Sequence, residues 1–335
     1  MPDFSGIAGN ARLTGNLKSR VKTGNTGHAF VFEGEAGLGK KTIARAFARA
    51  LLCENPAGGD SCGLCKSCAT FESGNNPDAI YISPEKTKSI GVDDIREKIN
   101  AAVLLRPYLY GRKVYIIGEA HAMTAQAQNA LLKTLEEAPA YCVFLLAADS
   151  EKPLLPTVLS RCVRYPVFPP AREEAVRVLS EKHGLPENAA GFYASMSSGN
   201  LGRALKLAGS ESFAAMRRYV AGELLPGIGR EKLTGLFRAA KKLEEYKDSF
   251  GDVLDVITLW YRDLLMYKRF NSDKYVIQKD LLEKIRAGAG APEEAIFKSL
   301  EAAARTKARL AQNVNFQLAV EAMLLVLAGR GGEYV

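Results

Sequence analysis

Gly34-Glu35-Ala36-Gly37-Leu38-Gly39-Lys40-Lys41 is the stretch on which the reading of this chain turns. Its first seven residues have the spacing of a phosphate-binding loop: glycines let backbone N–H groups close on phosphate, and the lysine reaches the outer phosphates. Before it stands a short apolar run, Ala29-Phe30-Val31-Phe32. After it, Thr42 to Leu52 has helical spacing, with Ile43, Ala46, Phe47 and Ala50 on one face. A strand that feeds a helix through such a loop aims amides and the helix dipole at an anion. The residue after the lysine is ordinarily Ser or Thr, whose hydroxyl ligates Mg²⁺. Here it is Lys41, and Thr42 comes into play only if the loop is shifted by one.

A second irregularity answers the first. Val114-Tyr115-Ile116-Ile117 reads as a buried strand whose end should carry an Asp that also holds Mg²⁺, but the chain has Gly118-Glu119. With both metal-holding groups missing, the pattern predicts an ATPase-like module that does not hydrolyse ATP itself. Glu119 stands where a base for water would be, yet it is of little use without the metal that organises the phosphates. Lys40 and the amides can hold phosphates, while Lys41 either replaces or repels the cation. ATP or ADP binding is therefore left open, and Mg²⁺ is not expected.

Outward from the loop, strands and helices alternate. Ala79 to Ile82, Val114 to Ile117 and Cys142 to Ala147 read as further strands. Val92 to Leu104 and Met123 to Glu137 read as helices, the second stopped by Pro139. Alternation of this kind predicts a mainly parallel α/β sheet. The strand pattern stops at the prolines of Tyr165-Pro166-Val167-Phe168-Pro169-Pro170. Beyond them every stretch is helical in period: Ala171 to Lys182, Glu187 to Ser197, Leu201 to Ala208, Glu211 to Leu224, Arg230 to Lys247, Val253 to Lys268, Lys279 to Ala287 and Glu293 to Leu327.

At 335 residues the chain is too long for one ordinary core. With 47% hydrophobic and 24% charged residues it has the composition of a globular protein, and its net charge of +8 suits a polyanionic partner such as nucleic acid. No basic patch followed by an apolar run opens the sequence, and no stretch approaches about 18 uninterrupted apolar residues. A cytoplasmic protein with no membrane span is expected. Its six cysteines should then stay out of disulfides.

Four of the six follow the pattern C-x8-C-x2-C-x2-C at Cys53, Cys62, Cys65 and Cys68. Four thiolates this close suit one tetrahedral, structural Zn²⁺. A redox pair and an iron–sulfur cluster are the alternatives; the redox reading lacks its usual strand-to-helix setting. Cys142, in an apolar strand, reads as a small core residue. Arg161, in Leu159-Ser160-Arg161-Cys162, would by itself be read as a solvated arginine. His28, His121 and His183 form no nucleophile–base arrangement.

Taken in order, Phe4-Ser5-Gly6-Ile7-Ala8-Gly9, the glycine loop, the four-cysteine insert, Val114 to His121, Asn129 to Pro139 and Ser160-Arg161-Cys162 resemble the AAA+ clamp-loader subunits. The resemblance is specific up to about residue 208. It implies an α/β P-loop AAA+ domain with a small helical lid, followed by an all-α collar: residues 1–166 with the insert at 53–68, 167–208, and 209–335. It implies a hetero-pentameric ring of clamp-loader subunits that opens a sliding clamp and closes it around primer–template DNA. Arg161 becomes an arginine finger, acting in trans on a neighbour's ATP site. Gly34, Gly37, Gly39, Lys40 and Lys41 become a degenerate nucleotide loop, with Glu119 beside it and Arg203 as the lid's sensor candidate. Arg96 lies where a phosphate contact to DNA would sit. The strand-four sensor position falls near Ala148-Asp149, where Ala148 cannot sense anything. These departures favour the non-hydrolysing subunit. The other readings are an ATP-hydrolysing motor subunit of the gamma/tau kind and a zinc-containing DNA-binding protein on the same scaffold.

Overall fold

The computed structural model describes residues 3–84, 89–149, 154–312 and 314–330. The outermost limits of the expected domains, 1 and 335, lie outside the described residues. The chain forms two compact units: one runs up to Ala175 and takes in Asn200–Arg203, and the other comprises Val176–Gly199 and the residues from Ala204 onward.

The first unit contains α1 (Ala11–Thr23), β1 (Ala29–Gly34), α2 (Lys40–Leu52), α3 (Lys66–Glu72), β2 (Ala79–Ile82), α4 (Val92–Ile95), β3 (Lys113–Ile117), α5 (Ala125–Glu136), β4 (Cys142–Asp149), α6 (Pro156–Leu159) and β5 (Val163–Pro166). Its sheet runs β2-β3-β4-β1-β5 with every neighbouring pair parallel. The central strands are apolar throughout because both faces are covered. Alternate residues feed separate cores: Phe30, Phe32, Val114 and Ile116 go to one, and Val31, Tyr115, Ile117 and Phe144 to the other. Tyr115 and Phe144, on paired strands, stack with ring centroids 5.0 Å apart. Phe144→Ala is expected to destabilise this unit by about 3–5 kcal/mol, the usual result of emptying a buried aromatic site. Denaturant unfolding checks it, and a loss below about 1 kcal/mol would contradict the packing described.

This order places β1 between β4 and β5, so crevices open at the carboxyl ends beside β1, where open α/β sheets bind ligands. The register pairs Gly34 with Asp149 and Ile117 with Leu146. The end of β1, the Gly118-Glu119 turn and Asp149 therefore lie along one edge.

Several expectations need correction. The strands do stop at these prolines, but one strand before them was missed: Val163–Pro166 is β5. It pairs only with β1 and is largely exposed, and an edge strand is where Pro is tolerated. Helix α1 was not expected at all. Only Leu13 and Leu17 of its residues are buried, so its apolar signal is thin. The helix starting at Val92 widens into a π turn at Arg96–Asn100 and does not reach Leu104. There the Asn100 side chain turns to the Ala130 carbonyl and accepts from Thr134.

From α7 (Arg172–His183) onward, every regular element among the described residues is helical: α8 (Glu187–Met196), α9 (Leu201–Ala208), α10 (Glu211–Arg217), α11 (Leu225–Gly227), α12 (Leu233–Leu243), α13 (Phe250–Phe270), α14 (Leu282–Gly288), α15 (Glu293–Ala311) and α16 (Phe316–Leu327). The core of the second unit gathers around α13, whose Trp260 is buried. Asp263, fully buried, accepts the N–H groups of Ile277 and Gln278 and so pins the link to α14. The run Glu293 to Leu327 is not one helix. The Asn315 side chain caps a new one by accepting from Leu318, and α15 and α16 pack on each other. Arg230 to Lys247 likewise shortens to α12, followed by a 3₁₀ stretch, Glu244–Ser249. Among the described residues no helix is long and apolar enough to cross a membrane.

Candidate phosphate loop, metal centre and arginine finger

Gly37 and Gly39 take left-handed backbone conformations (φ 89° and 81°), and Gly39 caps α2, so Lys40 is the first helical residue. This is the register of an unshifted loop. Lys40 is 6% exposed. Its ammonium turns back into the loop and donates to the Gly34 carbonyl (2.8 Å), the Glu35 carbonyl (2.6 Å) and Asp149 Oδ1 (2.7 Å). The loop is also pinned from outside. Asn200 Nδ2 donates to the Ala36 carbonyl (2.8 Å) and Gly202 N–H to the Gly37 carbonyl (3.1 Å). A Cβ on Gly202 would stand 2.6 Å from Gly37 backbone atoms, so glycine is required at that close approach. A pocket of about 440 Å³ lies over the loop, lined by Gly37, Gly39, Lys40, Lys41, Glu119 and His121 among others.

The two irregular positions meet in this pocket. Lys41 Nζ lies 2.5 Å from Glu119 Oε1, and a Cβ on Gly118 would lie 3.6 Å from Lys41 Cε. The lysine stem passes the bare face of Gly118, and its ammonium sits against the carboxylate. The pair is half-exposed, so its contribution to stability is small; what it supplies is a fixed cation. Asp149 N–H donates to His121 Nδ1 (3.2 Å), and Asp149 Oδ2 lies 3.6 Å from His121 Nε2.

The sequence places Asp149 only beside the strand-four sensor position and His121 only among scattered histidines; the part that Asp149, Asn200 and His121 play around the loop emerges from the fold. Asp149 could have been found as the polar end of an apolar strand. Asn200 could have been found as the amide between the glycines of Gly199-Asn200-Leu201-Gly202. Arg203 follows it on α9. Its backbone N–H donates to Asn200 Oδ1 (3.1 Å) and would lie 3.1 Å from a Cβ on Gly37, so the backbone of Arg203 packs against the loop.

The four sulfurs of Cys53, Cys62, Cys65 and Cys68 lie within 4.8 Å of one another, and the Cys53–Cys65 pair is 3.9 Å apart. Sulfurs at the Zn–S distance around one tetrahedral ion stand about 3.8 Å apart. The cluster is therefore of the right size to hold a metal, with four protein ligands and no open position. Cys53 ends α2 and Cys65 caps α3, so the metal would bind two helix ends together. N–H groups of Cys62, Cys65 and Cys68 donate to the sulfurs of Cys53, Cys62 and Cys65 respectively, at 3.3–3.4 Å. Such bonds favour thiolate. The N–H groups of Leu64 and Cys65 push the Cys62 thiol down to about 6, whereas burial raises Cys53 and pushes Cys68 up to about 12. Cys142 and Cys162 are outside the cluster, and burial pushes them up to about 11 and 12. The insert sits tightly on α1: a Cβ on Gly59 would stand 2.3 Å from the Lys18 carbonyl oxygen.

Arg161 follows α6 and does not line the phosphate pocket of its own chain. Its guanidinium is one-third exposed and held by Glu136 at the end of α5, with Nε 2.6 Å from Oε1 and Nη2 on the same oxygen. Nη1 donates to the Thr157 carbonyl (2.8 Å). Arg96 is exposed, 3.8 Å from Asp93.

Residues 9–170 match the family model described as "DNA polymerase III, delta subunit", and residues 230–329 match "DNA polymerase III, delta subunit, C terminal". The chain is 30% identical over 319 residues to "DNA polymerase III subunit delta'" of Bacillus subtilis (strain 168), covering 93% of this chain and 94% of that one. To the subunit of the same name in Escherichia coli (strain K12) it is 36% identical over 192 residues, 57% of each chain. Bacillus subtilis "DNA polymerase III subunit tau" is 28% identical over 297 residues, 82% of this chain but only 52% of that one. The similarity to the Bacillus delta' subunit takes in the AAA+ sheet, the cysteine insert and the helical region alike, and on that footing the chain belongs to the delta' subunits of the DNA polymerase III clamp loader.

Proposed function

We propose that this chain is the non-hydrolysing member of its loader, a cytoplasmic protein that joins other clamp-loader subunits in a hetero-pentameric ring and acts on a sliding clamp and primer–template DNA. The observation that carries this reading is the Lys41–Glu119 pair beside Gly118. An ammonium stands where the metal and its two protein ligands would be needed, and it occupies the carboxylate that would orient water. Lys40 adds to it: phosphate entering the loop must compete with Asp149 and two carbonyls for that ammonium. Mg²⁺ has no ligand set here, and nucleotide is not needed for the role proposed.

In this reading Arg161 works on a neighbour. Its side chain is preset by Glu136 and partly exposed, which suits an arginine that completes another subunit's ATP site. Zinc at the four cysteines is structural. Arg96, exposed on its helix, is assigned a DNA phosphate contact, which positions a duplex without reading its sequence. Residues 1–166 form the AAA+ domain, 167–208 the lid with Arg203, and 209–335 the collar that joins the ring.

Steady-state ATP hydrolysis by the isolated chain tests the core of the proposal. The rate is expected to equal that of Lys40→Ala. A rate clearly above that control would instead make the chain a motor subunit. Failure to co-purify with loader subunits while retaining DNA binding would favour the free-standing zinc protein.

A further inference from the structure

Arg49 is in α2, one turn before Cys53, and only 3% of it is exposed. Its Nε is buried with no hydrogen-bond partner, and no ion pair to Arg49 is found among the described residues. A guanidinium does not lose its proton in a protein. Held in a buried position without a direct ion pair among the described residues, it is an under-compensated charge, which folded proteins avoid.

Asp3 feels the Arg49 charge but makes its direct bonds elsewhere, as do Asp60 and Glu54. Asp3 accepts from Ser5 Oγ (2.7 Å) and Gly6 N (2.9 Å). Asp60 accepts from Phe4 N and Ser61 N and pairs with Lys18 at 3.2 Å. Glu54 accepts from Ser67 N. The guanidinium instead reaches toward the cysteine insert. A Cβ on Gly63, between Cys62 and Cys65, would lie 3.6 Å from Arg49 Nη2, and Gly63 has φ 75°. The distance puts the guanidinium beside the loop between Cys62 and Cys65; the glycine itself is suited to the left-handed backbone there. A divalent ion held by the four thiolates of this insert would carry a net charge of about −2.

We infer that Arg49 is the counter-cation of the four-cysteine metal centre: a buried guanidinium whose missing partner is the negative charge that the thiolate-bound metal brings. The inference rests on the reading of the cysteines as a zinc site. Within it, Arg49 is a positioning residue that does not ligate the metal. Its charge offsets the excess of the thiolates, so the loaded centre is favoured over four protonated thiols beside a bare cation.

The test uses the full chain with Arg49→Met, Arg49→Lys and, as a control, Asp3→Asn. Zinc content, zinc affinity by chelator competition, and melting temperature before and after zinc removal are measured. Arg49→Met is expected to weaken zinc binding by about 10–100-fold, the usual effect of losing an outer-shell partner of a metal ligand. It should lower the melting temperature of the loaded protein but not that of the stripped one. Arg49→Lys should recover most of the affinity, and Asp3→Asn should leave it unchanged. Unchanged zinc affinity in Arg49→Met, with equal loss of stability in loaded and stripped protein, would make Arg49 a packing residue and overturn the inference. If Arg49→Met does not fold, the wild-type protein decides: the Arg49 Nε–H resonance should move when cadmium is loaded, and a resonance that stays put overturns the inference. Wild-type protein with no zinc and four freely titrating thiols would remove the zinc reading itself, whatever Arg49 does.

Discussion

Arg161→Ala is expected to leave folding, zinc content and ring assembly intact, and to lower DNA-stimulated ATP hydrolysis by the reconstituted loader. Clamp loading should fall with it. The reason lies in where the side chain stands. Arg161 does not line the pocket over its own glycine loop, where the Lys41 ammonium pairs with Glu119. Any effect on hydrolysis must therefore come through a neighbour, where a fixed guanidinium stabilises charge developing on the transferred phosphate. An arginine finger contributes roughly 10³-fold or more at the site it serves. The loss in total rate should be smaller, because only one of several sites is touched. Arg161→Lys should rescue in part only, since an ammonium lacks the planar fork that Glu136 and the Thr157 carbonyl hold in place. Normal assembly with unchanged ATPase and loading rates would reduce Arg161 to a surface residue tied to Glu136.

Removing the metal should have the second largest effect. Beyond its seat on α1 at Gly59 and Asp60, the insert between α2 and α3 has little regular structure to hold it. Leu64 is 92% exposed, and the regular pairing within the insert is a single bridge between Ala57 and Asp60. Apparent binding energies of structural zinc in small domains run to about 10–16 kcal/mol, enough to decide whether such a segment is ordered. Chelation, or Cys68→Ser, should take zinc from one ion per chain toward none and open residues 54–65 to proteolysis, while the sheet resists cleavage. Metal analysis and mass spectrometry of the digests check both parts. Iron, or no metal in protein purified without chelator, would refute the assignment. The pH dependence has a definite sign. Burial keeps Cys53 and Cys68 protonated near neutrality, and both must lose a proton when metal binds, whereas Cys62 is already thiolate above its value of about 6. Affinity should therefore fall as pH falls from roughly 9 to 7, by at least about 100-fold per pH unit.

The sheet could be read from the sequence because its central strands are apolar at every position and are separated by helices of clear period. The same physics concealed the edges. β5 is exposed and ends in Pro166, so it does not look like a core strand, and α1 buries only two leucines along its length. The division of Glu293 to Leu327 into two helices rests on one cap at Asn315, since apolar spacing continues on both sides of it. At the glycine loop, the departures at Lys41 and Gly118 were visible as residue types. That the two positions touch, and that Lys40 is held by Asp149, depends on the pairing of β1 with β4, which spacing along the chain does not reveal. The cysteine spacing pointed to a metal cluster. The buried charge of Arg49 could not be read, because α2 presents it in the same period as its alanines.

The contact between Lys41 and Gly118 also bears on how such a site could regain what it lacks. With its Cβ 3.6 Å from Lys41 Cε, an aspartate introduced by Gly118→Asp alone is expected to pair with the lysine ammonium and not to serve a cation. Lys41→Thr alone would free Glu119 but leave only one side of a cation site. Each single step leads to a closed or half-built pocket, so the two changes are strongly non-additive, as expected for residues in contact. Mg²⁺-dependent nucleotide binding should appear in the double variant and in neither single one, and its appearance in either single variant would show the positions to be independent. In the reading proposed above, a non-hydrolysing subunit in this state would be separated from hydrolysis by a valley in its mutational path, which would keep the division of labour in a mixed ring from drifting back one substitution at a time.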